Sequence, residues 1–191
     1  TLDSKYMTPL DRLLQRWRIA KARPYIKPGA RVLDVGCADG ALLRALKNQI
    51  GQGVGIDSAL GDDRQDGPYR LIAGKFPEDL PALEPFDVIT MLAVLEHFPP
   101  EALEAVAQAC ARLLKPDGVL VITVPAAIVD EILHGLKFLR LIEGDMGLEQ
   151  HHHFDATQTP TLFQGGGLRL VAAAKFQLGL NNLFVFQKPR A

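Results

Sequence analysis

The fold is decided by the stretch Arg31-Val32-Leu33-Asp34-Val35-Gly36-Cys37-Ala38-Asp39-Gly40, which is followed by Ala41-Leu42-Leu43-Arg44-Ala45-Leu46. The first five residues form a short apolar run with β-branched residues, which predicts a buried strand. Gly36 and Gly40 bracket a tight turn, and the apolar residues after it recur at helical spacing. Such a corner directs backbone N–H groups toward a ligand, and glycine lets the ligand approach the backbone. We therefore expect the amides of this turn to bind a ligand.

A second predicted strand follows and ends in a carboxylate; it consists of Gly53-Val54-Gly55-Ile56-Asp57. An acidic residue about 20 positions after a glycine turn is where a nucleotide-type ribose presents its hydroxyl groups. Two glycines alone are a weak signal, but the glycine turn together with Asp57 indicates a nucleoside-containing cofactor.

The length of 191 residues is typical of one domain. We expect a single domain over 1–191, in which 1–30 form an N-terminal helix and cap. Residues 31–124 then form the half that binds the cofactor, and 125–191 the half on the substrate side.

The net charge of −1 predicts neither a nucleic-acid nor a membrane partner, although this total does not detect a local basic patch. Cys37 and Cys110 do not form a disulfide framework, which favours a reducing compartment. Residues 1–18 lack the apolar core of a signal peptide, and no apolar run is long enough to span a bilayer. We therefore expect a cytoplasmic protein.

Buried strands alternate with helices along the chain, which predicts an α/β fold with a doubly wound, mostly parallel sheet and helices on both faces. The last two strands are joined by a short connection and must pair antiparallel. Residues 58–67 are polar and glycine-rich, which predicts a loop. The seven predicted strands cover residues 31–35, 53–57, 69–73, 86–91, 119–124, 169–176 and 182–187. The predicted helices cover residues 9–23, 41–46, 100–114, 126–142 and 161–164.

Four motifs, in order and at characteristic spacing, resemble those of the seven-stranded class I methyltransferases that use S-adenosylmethionine. Residues 32–40 resemble the first motif of that family, and Gly55-Ile56-Asp57 resembles its ribose-binding strand end. The fourth-strand motif is matched by Phe86-Asp87-Val88-Ile89 together with Val94-Leu95-Glu96-His97. The family's turn into the fifth strand resembles Leu114-Lys115-Pro116-Asp117-Gly118-Val119-Leu120.

The resemblance implies S-adenosylmethionine as cofactor and methyl transfer as the reaction, and this chemistry needs no metal. Phe138, Phe154 and several leucines after the fifth strand suggest a small-molecule acceptor, and we expect a monomer or homodimer. It places Asp34 and the turn at the amino-acid end of the cofactor, Asp57 on both ribose hydroxyls, and residues 91–93 beside the reactive methyl group. The implied cofactor-binding residues are Asp34, Gly36, Cys37, Ala38, Gly40, Asp57, Ser58, Gly74, Lys75, Phe76, Met91, Leu92 and Ala93.

Two positions depart from the family pattern. Ala38 stands where family members usually carry glycine, so its methyl group is expected to shift the cofactor slightly. Lys75 stands where an acidic residue usually accepts a hydrogen bond from the adenine amino group, and lysine cannot accept one. Adenine contacts must then come from backbone carbonyls, from stacking by Phe76, or from Asp79.

The residues expected on the substrate side are Glu96, His97, His152 and His153. His97 is the candidate catalytic residue, because an imidazole can take a proton from a hydroxyl or amine; the alternative is that it caps or packs the next helix. The three histidines at 151–153 suggest a metal site, but consecutive residues rarely point at one centre, which favours a polar loop over the pocket. The acceptor atom, oxygen, nitrogen or carbon, stays open.

Two other functions remain as alternatives. A nicotinamide-binding Rossmann domain requires G-x-G-x-x-G, whereas this turn has Gly36-Cys37-Ala38-Asp39-Gly40. The second alternative is a protein that binds S-adenosylmethionine or S-adenosylhomocysteine without transferring a methyl group. It stays open because Lys75 replaces the usual acid and because no residue is established as the general base.

Overall fold

A computed structural model describes residues 9–126 and 155–190 of the chain. The eight strands are β1 (Arg31–Val35), β2 (Gln52–Asp57), β3 (Arg64–Asp66), β4 (Tyr69–Ala73), β5 (Phe86–Leu92), β6 (Leu114–Pro125), β7 (Arg169–Phe176) and β8 (Asn181–Gln187). The α-helices are α1 (Pro9–Ala22), α2 (Ala41–Ala45), α3 (Leu103–Leu113) and α4 (Thr159–Gly165). Short 3₁₀ turns cover Arg23–Tyr25, Leu95–His97, Pro100–Ala102 and Ala156–Gln158.

All eight strands form one sheet in the order β3-β4-β2-β1-β5-β6-β8-β7. The strands from β4 to β6 run parallel, and β8 pairs antiparallel with both β6 and β7. This arrangement confirms the mostly parallel α/β sheet and its antiparallel C-terminal pair. The strands β2 and β4 lie on one side of β1, and β5 and β6 lie on the other. The strand order therefore reverses next to β1, which is the topological switch point of the sheet.

Alternate residues of the strands enter two separate cores, one on each face of the sheet. Leu33 of β1 packs in the core beneath α3 and α4, which contribute residues such as Cys110 and Phe163. Its neighbour Val32 packs in the opposite core, which α1 and α2 cover with residues such as Ile19. Helices on both faces are thus confirmed.

The expectation of a loop over 58–67 was wrong in part, because β3 lies within it and pairs antiparallel with β4 at the sheet edge. Gly67, in the left-handed conformation, and the following proline make the two-residue connection between these strands. Asp66 on β3 is held by an ion pair of 2.7 Å with Arg44 of α2. Three polar residues at an exposed edge show no hydrophobic alternation, so the pattern could not reveal this eighth strand.

The helix predicted over 100–114 begins with a 3₁₀ turn and becomes α-helical only at Leu103. Residues 115–118, which were expected to form a turn, fall within the bounds of β6, but the pairing with β5 skips them between Leu114 and Val119 and Asp117 has a φ of 62°. The helix predicted over 126–142 and the residues up to 154 lie outside the described residues, apart from Ala126. Within 9–126 and 155–190, no helix is both long and apolar enough to cross a membrane.

Candidate active site

A cleft of about 760 Å³ opens at the carboxyl ends of β1, β2, β4 and β5, where the strand order reverses. Ligands of open α/β sheets bind at this position because the loops there diverge to opposite faces. Its described lining residues are Val35, Gly36, Ile56, Asp57, Ser58, Ala59, Gly74, Lys75, Phe76, Glu78, Val94, His97, Phe98, Pro99 and Ala102.

Asp57 ends β2 and lies in the cleft with its carboxylate fixed by backbone amides. The Ala38 N–H donates to Oδ2 and the Ala59 N–H donates to Oδ1, each over 2.8 Å. The side chain is almost fully buried. A carboxylate can accept more than two hydrogen bonds, so this orientation suits the binding of neighbouring hydroxyl groups of a ribose.

The turn after β1 differs from expectation, because its amides bond within the protein rather than being directed at a ligand. The N–H groups of Gly36 and Cys37 donate to the Ile56 carbonyl over 2.8 and 3.3 Å. The Ala38 amide holds Asp57, as described, and the Gly40 amide donates to the Cys37 carbonyl over 2.8 Å. The turn therefore joins the ends of β1 and β2 and orients the carboxylate at the second of them.

Val94, a residue that no sequence motif marked as a cofactor contact, forms the wall of the cleft over Gly36. A Cβ atom at Gly36, whose φ is 72°, would lie 2.2 Å from Val94 Cγ2, so only glycine fits. The predicted wall residues are not among the lining residues: Met91 is buried in the core, and Leu92 packs against the core on the opposite face. Ala93 has a φ of 57°, which turns the chain and brings Val94 to the cleft. A left-handed alanine leaves no signal in the sequence.

Asp34 lies beneath the cleft rather than in its lining. It is buried in the sheet and accepts a hydrogen bond of 2.7 Å from Thr90 Oγ1. Burial raises the pKa of Asp34 to about 7; the hydrogen bond from Thr90 opposes this shift and the charge of Asp57 adds to it. Cys37 is also buried behind the turn, and burial raises the pKa of its thiol. Ala38 and Gly40 likewise lie outside the lining.

At the other end of the cleft, Gly74, Lys75 and Phe76 are all lining residues, as expected for the adenine end. Asp79 does not line the cleft; its Oδ2 accepts a hydrogen bond of 2.7 Å from the Lys75 amide. A Cβ atom at Gly74 would lie 2.5 Å from the Asp79 Cβ, so the close approach of this side chain requires glycine. Glu78 is the carboxylate that lines this end, and no motif marked it.

The 3₁₀ turn after β5 sends its last two residues in different directions. His97 is exposed and lines the cleft, and its amide donates to the Val94 carbonyl over 3.0 Å. Glu96 is buried and does not line the cleft, which corrects its assignment to the substrate side. Burial lowers the pKa of the Arg18 guanidinium on α1, and the charge of Glu96 opposes that shift. Glu96 therefore lies close enough to α1 for its charge to raise the pKa of Arg18.

His152 and His153, the other substrate-side residues, lie outside the described residues together with His151. Within residues 9–126 and 155–190, no group of three His, Cys, Asp or Glu side chains is arranged to hold a metal ion.

The described part of the cleft fits a nucleoside cofactor. Its volume lies in the usual range for cofactor sites. Asp57 offers a buried, oriented acceptor for hydroxyl groups, and the close packing of Val94 on Gly36 provides an apolar wall at the end of β1. Phe76 and Glu78 at the far end supply an apolar surface and an acceptor for a base.

The family model for a methyltransferase domain matches residues 6–173. Ubiquinone biosynthesis O-methyltransferase of Xanthomonas campestris pv. campestris is 34% identical over 144 residues, which cover 67% of this chain and 56% of that protein. The protein of the same name from Xylella fastidiosa is 42% identical over 107 residues, covering 50% of this chain and 42% of the relative. The chain spans about half the length of the curated relatives it matches.

Solved methyltransferases share the fold. The 1,6-didemethyltoxoflavin-N1-methyltransferase of Burkholderia thailandensis aligns with a TM-score of 0.68 at 19% identity, covering 95% of this chain and 80% of that one. The N-methyltransferase NodS of Bradyrhizobium japonicum aligns with a TM-score of 0.67 at 16% identity, covering 94% and 99%. These findings set aside the nicotinamide alternative. The chain belongs to the methyltransferase domain family, and it has the fold of solved methyltransferases.

Proposed function

We propose that this domain methylates a hydroxyl oxygen of a small molecule and that His97 accepts the hydroxyl proton. The observation that carries the proposal is that the imidazole lines the same cleft as the buried carboxylate of Asp57. The names of the curated relatives, which are O-methyltransferases, support oxygen as the acceptor atom.

S-adenosylmethionine, when bound, supplies a methyl group on a positively charged sulfur; an aligned nucleophile bonds to the methyl carbon, and the sulfur leaves as S-adenosylhomocysteine. The protein contributes mainly alignment of the two reactants. Asp57 and the turn after β1 fix the position of the nucleoside. His97 receives the proton that the hydroxyl loses, so that the attacking oxygen does not build up positive charge.

The residues around His97 suit a partly apolar acceptor. Phe98, Pro99 and Ala102 line the cleft next to the imidazole and Val94 continues this surface. An apolar wall excludes water from the reacting atoms and gives a planar acceptor a surface to pack on.

The proposal is tested by supplying S-adenosylmethionine with a labelled methyl group to the purified chain, together with matched phenols, anilines and phenol methyl ethers. We expect label in the phenols and formation of S-adenosylhomocysteine in equal amount. Transfer to anilines alone would assign nitrogen, and would contradict the assignment of oxygen.

Replacing His97 with alanine is expected to lower kcat by about 10²- to 10⁴-fold, the usual contribution of a positioned base. Calorimetric affinity for S-adenosylhomocysteine should stay unchanged, since Asp57 is untouched. Glu101→Ala, at an exposed position four residues further along the chain that is not in the lining, is the matched control and should leave kcat unchanged. If His97→Ala retains full kcat on phenols, the imidazole is not the base.

Binding without transfer is the second candidate, favoured by Lys75 in place of the usual acid at the adenine end. It predicts calorimetric binding of S-adenosylhomocysteine and no label in any acceptor. Restoring the acid as Lys75→Asp should then tighten binding without producing transfer.

A further inference from the structure

Helix α1 presents an apolar stripe to solvent. Its inner side is buried in the core through Ile19 and Ala22, whereas Leu10, Leu13 and Trp17 are 61%, 58% and 41% exposed. At about 100° per residue, these three side chains fall within a sector of about 60° on the side away from the core. A large part of the Trp17 ring therefore faces solvent.

Basic residues flank this stripe on both sides. At the same angular spacing, Lys21 borders the stripe on one side and Arg16 lies beside it on the other, with Arg12 further round toward the inner side; all three are exposed. The acidic residue of α1, Asp11, lies as far from the centre of the stripe as Arg12 but on the opposite side, and unlike Arg12 it is half-buried. The outward surface of the helix is therefore both apolar and positively charged, although the whole chain has a net charge of −1.

The tip of the β7–β8 hairpin contacts α1 and exposes one apolar side chain. Gln177 Nε2 donates to the Leu14 carbonyl of α1 over 3.2 Å. The next residue, Leu178, is 97% exposed and has a φ of 58°. An exposed leucine therefore lies on the element that contacts α1, although Leu178 itself lines a second cleft with Ala156 and Phe184. The exposed stripe of α1 marks a surface for interaction.

We propose that this face, formed by Leu10, Leu13 and Trp17 with Arg12, Arg16 and Lys21 around it, docks on an anionic lipid surface. A helix lying in the membrane interface buries leucine and tryptophan at the boundary of headgroups and acyl chains while arginine and lysine contact phosphates. The proposal concerns where the domain works and does not depend on the identity of the acceptor.

Charge favours this occupant over the two others that an exposed helix can have. In a two-fold pair of α1 helices, Arg12, Arg16 and Lys21 would face one another, and like charges across an interface are costly. A nucleic acid would match the charge but would leave the leucine and tryptophan side chains in water. The expectation of no membrane partner came from the net charge of the whole chain, and this total does not reveal a local basic patch such as the one on α1.

The experiment uses Trp17, the single tryptophan of the chain, as its own reporter. The purified full chain is titrated with vesicles of phosphatidylcholine alone and with vesicles in which one quarter of the lipid is phosphatidylglycerol. We expect a blue shift of the emission and co-sedimentation with the anionic vesicles, with both lost at high salt because screening removes the charge attraction. An unchanged emission and an absence of co-sedimentation with both vesicles would overturn the proposal.

Charge reversal tests the basic flank. Arg12→Glu with Arg16→Glu should weaken partition onto anionic vesicles by about 20-fold or more, since each basic residue near such a surface contributes a factor of about five. Lys47→Glu with Arg112→Glu makes the same change of charge at exposed sites outside this face, and should weaken it far less. Equal losses in both double variants would mean that net charge alone is responsible, and would refute the assignment to α1.

Leu10→Ser with Leu13→Ser tests the apolar stripe while keeping the reporter. We expect the blue shift on anionic vesicles to be lost although the basic residues remain. Retained affinity for S-adenosylhomocysteine shows that each variant is folded, because the cleft is not altered. If Trp17 emission instead responds to protein concentration without lipid, the face is an interface between copies and the membrane assignment is wrong.

Discussion

Replacing Asp57 with alanine should weaken the binding of S-adenosylhomocysteine by about 1.5–3 kcal/mol, or about 10- to 150-fold in Kd. This magnitude follows from the loss of charge-assisted hydrogen bonds that a buried, fixed carboxylate makes to ribose hydroxyls. The same change removes the acceptor for the amides of Ala38 and Ala59, so the free energy of unfolding should also fall by about 2 kcal/mol or more. Calorimetry measures the first quantity and urea unfolding without ligand measures the second.

The chain provides a control for the loss of stability that follows when a carboxylate no longer accepts a hydrogen bond from a backbone amide. Asp63 also accepts a hydrogen bond from a backbone amide, that of Ala73, over 2.9 Å, but it does not line the cleft. Asp63→Ala should therefore lower stability while leaving the Kd unchanged. If Asp57→Ala folds and binds S-adenosylhomocysteine as tightly as the parent, the carboxylate does not contact the nucleoside, and a cofactor orientation with the ribose at the end of β2 is refuted.

Two further predictions concern stability. Because the pKa of Asp34 is raised to about 7 from about 4, the folded state holds more protons between these values, and the free energy of unfolding should fall by about 4 kcal/mol as pH rises from 4 to 7. Asp34→Asn, whose amide oxygen can still accept from Thr90, should flatten this slope in urea unfolding; an unchanged slope would assign it to other groups. Gly36→Ala should cost about 1–3 kcal/mol more than Gly29→Ala in the same assay, since both glycines have positive φ but only at Gly36 would the added Cβ meet Val94. An equal loss in the free energy of unfolding for both variants would mean that the Val94 side chain moves aside without strain.

The parts of the fold that the sequence predicted correctly are those in which burial leaves a pattern. The central strands are covered on both faces, so they are continuous apolar runs, and the glycines and prolines between them mark the boundaries. Asp57 was identifiable because it ends such a strand at the expected distance from the glycine turn. His97 was identifiable only by resemblance to a family motif, since a single histidine in a polar turn has no periodicity.

The features that the sequence did not predict depend on backbone conformation or on contacts between distant segments. The strand β3 is stabilised by a hairpin with β4 and by the ion pair of Asp66 with Arg44, and neither requires an apolar residue. The positions of Val94 and Glu96 depend on the left-handed conformation of Ala93 and on the 3₁₀ turn that follows it. Local propensity does not determine such a turn, so the sequence could name the segment but not the residue that faces the cleft.

The glycine turn has a different role from the one its sequence suggests. The amides of Gly36, Cys37 and Ala38 are bonded to Ile56 and Asp57 at the end of β2, so they hold the neighbouring strand end rather than a ligand. Gly36 is required because Val94 packs directly on its Cα. We therefore expect recognition of the nucleoside to depend on Asp57, the carboxylate that the turn orients, so that the two halves of the motif act as one unit. A substitution that displaces the Ala38 amide should therefore weaken cofactor binding without touching the cofactor, because the orientation of Asp57 depends on that hydrogen bond.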